Sequence, residues 1–257
     1  MIRRCAVAAT LALSVVAATS AQSMKFSPPR LVKADLPPLP APTIAGGGEV
    51  LIEAIVDQTG KAGRPIVLRG TPPYTQMVLD AMALWRFEPA HTVTPDGTKT
   101  VVDMPIAIAA IYRPPVLMNT PTIGEPARDW SKPSTDLAYP LSLDMPNYPP
   151  QARDGGVVLL EVALDETGVV KETRGVASTG GFESTAREAL AKWRFRGGAY
   201  RARPVSTTAY VLFGFRAPVV SSPGQPPNMP PTSKPPFSPD FNPPPPPNFT
   251  PPPPPKP

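Results

Sequence analysis

Shifted against itself by 108 positions, the chain meets its own pattern at both ends of one window, and that repeat limits what it can fold into. Trp85, Arg86 and Phe87 fall on Trp193, Arg194 and Phe195. With no gap, Asp57, Thr59 and Gly60 fall on Asp165, Thr167 and Gly168, and Val50, Leu51 and Glu53 on Val158, Leu159 and Glu161. Tryptophan occurs at only three of the 257 positions, so two in one shared context are informative. One structural unit is written twice.

Each copy follows the same local order. "EVLIEAIVDQTG" and "VVLLEVALDETG" are rich in branched apolar residues and end in Asp-x-Thr-Gly. That ending predicts a tight hairpin, with the aspartate bonding nearby backbone and the glycine taking positive φ. A second strand follows ("PIVLRG", "VVKETRGVAS") and then a helix. Met77, Leu79, Met82 and Trp85 suggest the apolar stripe of the first helix; Phe182, Ala186, Ala189, Leu190 and Trp193 suggest that of the second. Both tryptophans read as core packing, with Arg86 and Arg194 beside a helix C-terminus, where a cation suits the dipole. A last strand closes each copy, about residues 100–112 and 204–215. Because a helical crossover joins parallel strands, strands two and three flank strand one, and strand three becomes an edge. The expected class is α+β: two small β-β-α-β domains, each a three-stranded antiparallel sheet with a helix on one face.

The 42 prolines mark the domain limits. Residues 22–45 read as a proline-rich linker, 46–115 as the first domain, 116–145 as a second linker containing Trp130, and 146–217 as the second domain. The tail, 218–257, holds 20 prolines and cannot bury a core; it reads as an extended spacer, or as a docking ligand through Phe237, Phe241 and Phe249. At the start, Arg3 and Arg4, the run "CAVAATLALSVVAA" and the small residues before Gln22 read as a signal peptide over 1–21. The run is shorter than the ~20 apolar residues of a membrane span. The mature chain is expected to begin near Gln22 in the periplasm; an uncleaved inner-membrane anchor facing the periplasm is the alternative, and only that form would touch a membrane. The single cysteine, Cys5, lies in this segment, so no disulfide is expected afterwards.

The residues "YPPQAR" (148–153), the Asp-x-x-Gly turn, "ASTGGFESTAREALAKWRF" and "RARPVSTTAYVLFGF" resemble the TonB C-terminal domain. The first copy resembles it more weakly, through "WRFEPA", so the likeness runs over about 140 residues in two pieces. Members of that family carry energy from an inner-membrane motor to outer-membrane receptors for siderophores and vitamins, gripping a receptor segment along the last strand. The resemblance therefore implies a partner-binding edge at Pro204, Val205, Ser206, Thr207, Thr208, Ala209 and Tyr210, and an outer-membrane receptor or other envelope protein as partner. Two departures bear on transduction. The N-terminal apolar run has no histidine to engage a motor, and the longest proline-rich stretch follows the domain instead of preceding it. In the first copy Pro105 removes a backbone donor from the last strand, which makes that copy a platform and not a template.

Few other residues carry chemistry. Lys192, Arg194, Arg196, Arg201 and Arg203 form the densest basic cluster, read as a solvated face or as a patch for an anionic partner such as peptidoglycan. The net charge of +5, or +3 without Arg3 and Arg4, is too diffuse for nucleic acid. His91, the only histidine, is placed in a loop and has no cysteine or second histidine to join in a metal site or triad. No catalytic residue, metal site or cofactor is expected. The sequence supports two functions: a non-enzymatic binding module serving TonB-dependent transport, or a structural scaffold of the cell envelope that has lost transduction.

Overall fold

The computed structural model describes residues 24–41, 44, 46–115 and 132–218. The expected signal peptide, the first half of the second linker with Trp130, and the proline-rich tail beyond Pro218 lie outside them. The first half of the chain runs β1 (Lys25–Ser27), β2 (Arg30–Lys33), β3 (Gly48–Val56), β4 (Ala62–Arg69), α1 (Tyr74–Ala83), β5 (Arg86–Glu88), β6 (His91–Val93), β7 (Lys99–Val101) and β8 (Met104–Tyr112). The second runs β9 (Pro140–Ser142), β10 (Gly156–Leu164), β11 (Val170–Ser178), α2 (Glu183–Leu190), β12 (Arg194–Phe195), β13 (Gly198–Tyr200), β14 (Arg203–Val205) and β15 (Thr207–Phe215).

The two halves share one order of elements. Gly48 and Gly156 open β3 and β10, 108 positions apart. From there to the ends of β8 and β15 the first unit spans 64 positions (112 − 48) and the second 59 (215 − 156), the difference lying in the hairpin before the last strand. In each unit strand one is flanked by strands two and three, both antiparallel to it, as the crossover argument requires.

The Asp-x-Thr-Gly turns form as the sequence predicts. Asp57 Oδ1 accepts from the Thr59 N–H (2.8 Å), the Thr59 hydroxyl (2.6 Å) and the Lys61 N–H (3.1 Å), and Asp165 Oδ1 is bound in the same way by Thr167 and Val169. These bonds, with the threonine hydroxyl foremost, hold both carboxyls below the usual aspartate range. The glycines take φ of +78° and +90°. Contact explains why turn and Trp-Arg-Phe are repeated together. The Phe87 N–H donates to the Gly60 carbonyl (2.8 Å), and a Cβ at Gly60 would stand 2.0 Å from the Phe87 carbonyl oxygen. At Gly168 the distance to the Phe195 carbonyl oxygen would be 2.4 Å. Gly168→Ala is therefore expected to cost about 2–4 kcal/mol in urea unfolding, against about 1–2 kcal/mol for Gly181→Ala, where only the left-handed φ is at stake. Equal losses would mean that the carbonyl contact contributes nothing.

Two separate three-stranded sheets were expected; the structure corrects this. There is one six-stranded sheet, ordered β11-β10-β15-β8-β3-β4. Its middle is the pairing of β15 with β8, which run parallel from Ala209↔Ala107 to Gly214↔Tyr112. Parallel neighbours of the same type are related by a two-fold axis along the strands, and such an axis turns one unit over. The helices consequently lie on opposite faces. Tyr74, Val78, Met82 and Trp85 pack on one face with Ile52, Ile108 and also Leu159, Tyr210 and Leu212 of the second unit. Phe182, Ala186, Leu190 and Trp193 pack on the other with Leu160, Val211 and Phe213, together with Leu51, Ala109 and Ile111 of the first. The second stripe matches the expected one. In the first, Met82 and Trp85 are buried as expected, Met77 and Leu79 pack half-buried against the same core, and Tyr74, Val78 and Ala81 are buried in addition.

Each unit leaves one sheet face without a helix, and a supposed linker covers it. Leu31 is buried in the core, with Leu36 and Leu39 against it; Leu137, Ala138 and Leu143 are buried on the opposite face. Residues 25–33 and 132–145 are thus structural arms, a correction to both linker assignments. Each arm zips onto the Trp-Arg-Phe strand of its own unit, β2 on β5 and β9 on β12. There the indole is a donor as well as a core group. Trp85 Nε1 donates to the Asp35 carbonyl and Trp193 Nε1 to the Asp144 carbonyl, both at 2.9 Å. Arg86 caps as expected, donating to the Ala83 (3.2 Å) and Trp85 (2.6 Å) carbonyls.

Candidate functional site

The strand expected to offer a free edge is the centre of the sheet. Ala209 and Tyr210 pair with Val162 and Glu161 of β10 on one side and with Ala107 and Ile108 of β8 on the other. Pro204 and Val205 belong to β14 and pair with Ala199 and Gly198 of β13. Thr207 and Thr208 pair with Leu164 and Ala163, and both are buried. Ser206 alone stands between strands, exposed to solvent. The expectation of an open edge is corrected for a physical reason at Ala209 and Tyr210, where the last strand of the first unit is the partner that satisfies it, while Pro204 and Val205 belong to a separate hairpin. Pro105 does not prevent this, since it faces Ile55 on β3 and the seam begins two residues later. Nor does the strand keep a solvent face. Val211 and Phe213 are buried on one side and Tyr210 and Leu212 on the other, with Phe215 on the Phe213 side.

Two arginines lock one end of the seam, where both strands finish. The Arg113 N–H extends the ladder by donating to the Gly214 carbonyl (2.8 Å), and its guanidinium donates to the Pro146 carbonyl (2.8 Å) at the entry to the second unit. Arg216 reciprocates at the entry to the first unit, donating to Ala41 (3.4 Å), Gly46 (3.3 Å) and Ile44 carbonyls. Both side chains are buried, and loss of water lowers the Arg113 pKa. Each half thus grips the entry of the other.

A second polar device holds the N-terminal arm. Glu161 pairs with Arg174 (2.8 Å), and the pair binds the backbone of Leu31 at both of its groups. Glu161 accepts the Leu31 N–H, and Arg174 donates to the Leu31 carbonyl, each at 3.0 Å. The Tyr210 hydroxyl donates to the Pro29 carbonyl (3.0 Å). Glu53, the repeat mate of Glu161, accepts the Ser134 N–H (3.0 Å) from the other arm. Sequence reasoning missed these roles. The signal was present, because Glu53 and Glu161 are charges repeated inside otherwise apolar strands.

The basic cluster divides. Lys192 pairs with Asp144 (3.1 Å), while Arg196 donates to the Ser134 (2.5 Å) and Leu137 (2.6 Å) carbonyls and lies over the Tyr139 ring. Arg194 is exposed on β12 opposite Ser142. Arg203 instead lines a groove of about 390 Å³ that also includes Lys25, Phe26, Tyr200 and Pro204–Ser206, and Arg201 lies over the Tyr200 ring beside it. This groove lies where β8 and β15 splay apart. Its floor continues into the small core of Ala90, Val102 and Met104, against which Phe26, Tyr200 and Val205 pack. A larger groove of about 510 Å³ lies between the Tyr148–Ala152 entry and the first turn of α2, beginning at Gly180.

His91 is the first residue of β6, not part of a loop as expected. Among the described residues, no group of three or more His, Cys, Asp or Glu is placed to hold a metal ion, and no helix is long and apolar enough to cross a membrane.

Fold and site together define a class: a mixed α+β chain whose two halves share one order of elements and join through one seam in a six-stranded sheet. The family model of the Gram-negative bacterial TonB protein C-terminal domain matches residues 144–217, the second unit with the end of its arm. Domains of this family are non-catalytic interaction domains that engage outer-membrane proteins, and the match covers the second half of the described fold alone. No curated protein matches the chain.

Proposed function

We propose that this chain is an exported, non-enzymatic periplasmic protein that binds an outer-membrane protein, and that its first unit, a second and diverged TonB C-terminal-like copy, permanently occupies the strand by which such a domain would otherwise grip a receptor. The observation that carries this reading is the parallel pairing of Ala107–Tyr112 with Ala209–Gly214. It favours a binding scaffold over an energy transducer, because pulling on a receptor through β15 requires that strand to be free. The outer strands offer poorer templates. β4 contains Pro65, which has no N–H, beside Arg64 at φ +50°, and on β11 the Arg187 guanidinium already occupies the Thr173 carbonyl.

A seam staple tests the reading. Ala109 and Val211 are in register on adjacent strands and belong to the same buried face, so Ala109→Cys with Val211→Cys is within disulfide reach. Oxidised protein is expected to co-purify with an outer-membrane protein after envelope cross-linking, with affinity within about threefold of the reduced form, or about 0.7 kcal/mol. Binding only by the reduced form would show that the seam opens to exchange strands. Absence of any outer-membrane partner in both forms would remove the binding function itself.

A further inference from the structure

We infer that the groove at the splayed end of the seam is a docking site for an acidic, extended segment of a partner protein, an inference that rests on the partner-binding reading above. Three independent observations converge there. The first is charge. Lys25 and Arg203 line the groove, Arg201 lies over the ring of Tyr200 beside it, Glu166 is the one acid on its wall, and none of the three cations takes part in an ion pair among the described residues. Lys192 and Arg196, from the same basic run, are engaged within the chain, and Arg194 is exposed on β12 outside the groove, which leaves Arg203, with Arg201 beside it, as the part of the run at the groove.

The second observation is backbone strain. β13 and β14 are joined by Arg201 and Ala202, both left-handed, with φ of +51° and +61°. A two-residue turn of this hand favours Asn-Gly or Asp-Gly, and each bulkier residue is held there at a cost. The corresponding hairpin of the first unit carries Asp96-Gly97, with Gly97 at φ +86°. One hairpin is relaxed and the other strained, and the strained one sets Arg203 on the groove wall and Arg201 over the Tyr200 ring.

The third is chemical surface. The stacked Phe26 and Tyr200 rings, 5.3 Å apart, give an apolar floor, and Ser206 stands exposed between β14 and β15, outside the ladder. Carboxylates over guanidinium groups, apolar side chains over the rings and main chain beside Ser206 describe a peptide better than a lipid head group, which has no use for the floor.

The test uses the full mature chain and the peptide Ac-Glu-Val-Glu-Val-Glu-Val-NH2, followed by ¹H–¹⁵N NMR, with Ac-Lys-Val-Lys-Val-Lys-Val-NH2 and phosphatidylglycerol vesicles as the other arms. The acidic peptide is expected to shift Phe26, Tyr200, Val205 and Ser206 saturably, and to bind at least tenfold more weakly at 0.5 M salt. Arg201→Glu with Arg203→Glu should weaken it tenfold or more, while Arg201→Asn with Ala202→Gly, which relaxes the turn, retains the hairpin and loses only part of the affinity. Equal binding of both peptides, shifts elsewhere, or an unaffected charge-reversal variant would overturn the site. Binding of vesicles in place of the acidic peptide would assign the groove to lipid and also overturn it. Envelope cross-linking separates this from the broader reading. If the charge-reversal variant still captures the outer-membrane partner, the groove is not where that partner docks, and partner binding stands.

Discussion

Residues 132–218 produced without the first unit are expected to self-associate at micromolar concentration. Removing the first unit uncovers the flank of β15 along Ala209–Gly214 and strips Leu159, Tyr210 and Leu212 of Trp85, Phe87 and the N-terminal arm. Three such side chains lose about 4–9 kcal/mol of burial, comparable with the ~5–15 kcal/mol that keeps a domain folded. The exposed flank is also a strand template, which a second copy satisfies by the same parallel pairing. Sedimentation should show dimers or larger species, and a separately made 24–115 fragment should convert them to a one-to-one complex. A monodisperse, cooperatively folded monomer would show that the second unit stands alone, and that the seam is an accessory contact.

Trp85→Ala should cost about 3–5 kcal/mol and unfold both halves together. The indole is fully buried, sits 6.4 Å from both Phe87 and Tyr210 in ring-to-ring contact, and ties down the N-terminal arm through Asp35. Since Tyr210 belongs to the second unit, the loss crosses the seam. Chemical denaturation followed by near-ultraviolet circular dichroism should show one transition at lower denaturant. Trp85→Phe should lose less, keeping ring contact while giving up the bond to Asp35. Two separated transitions in Trp85→Ala, with the Trp193 signal unmoved, would mean that the halves are energetically independent.

Much of each unit was legible in the sequence, and the reason is local. The Asp-x-Thr-Gly turns and the second helical stripe depend on residues within about twenty positions of one another, where turn chemistry and periodicity decide the outcome, and the strand order then follows from the handedness of the helical crossover. The joining of the units was not legible. A third strand that is apolar on both faces, as in "STTAYVLFGF", cannot be an exposed edge, since no face is left for water. That run was the available sign that β15 lies at the centre of a sheet. The arms were hidden differently. "DLPPLPAPT" looks like a spacer because proline dominates it, yet Leu36 and Leu39 pack against the core, and Leu31, Leu137 and Leu143 of the two arms are core residues. The candidate groove was half legible: Pro204–Ser206 and Arg201 with Arg203 stand out in the sequence, but Phe26, from the far end of the chain, was beyond any reading of neighbours.

The parallel seam has the form of contact by which two identical molecules meet, with the same surface presented from both sides. In a pair of separate chains every substitution appears twice, so a feature good for one half is imposed on the other. Joining the halves in one polypeptide ends that constraint and makes their encounter independent of dilution. Asp96-Gly97 on one hairpin and Arg201-Ala202 on the other are a product of that freedom. Symmetry holds the scaffold, and the departures from it are where individual specialisation has room to accumulate.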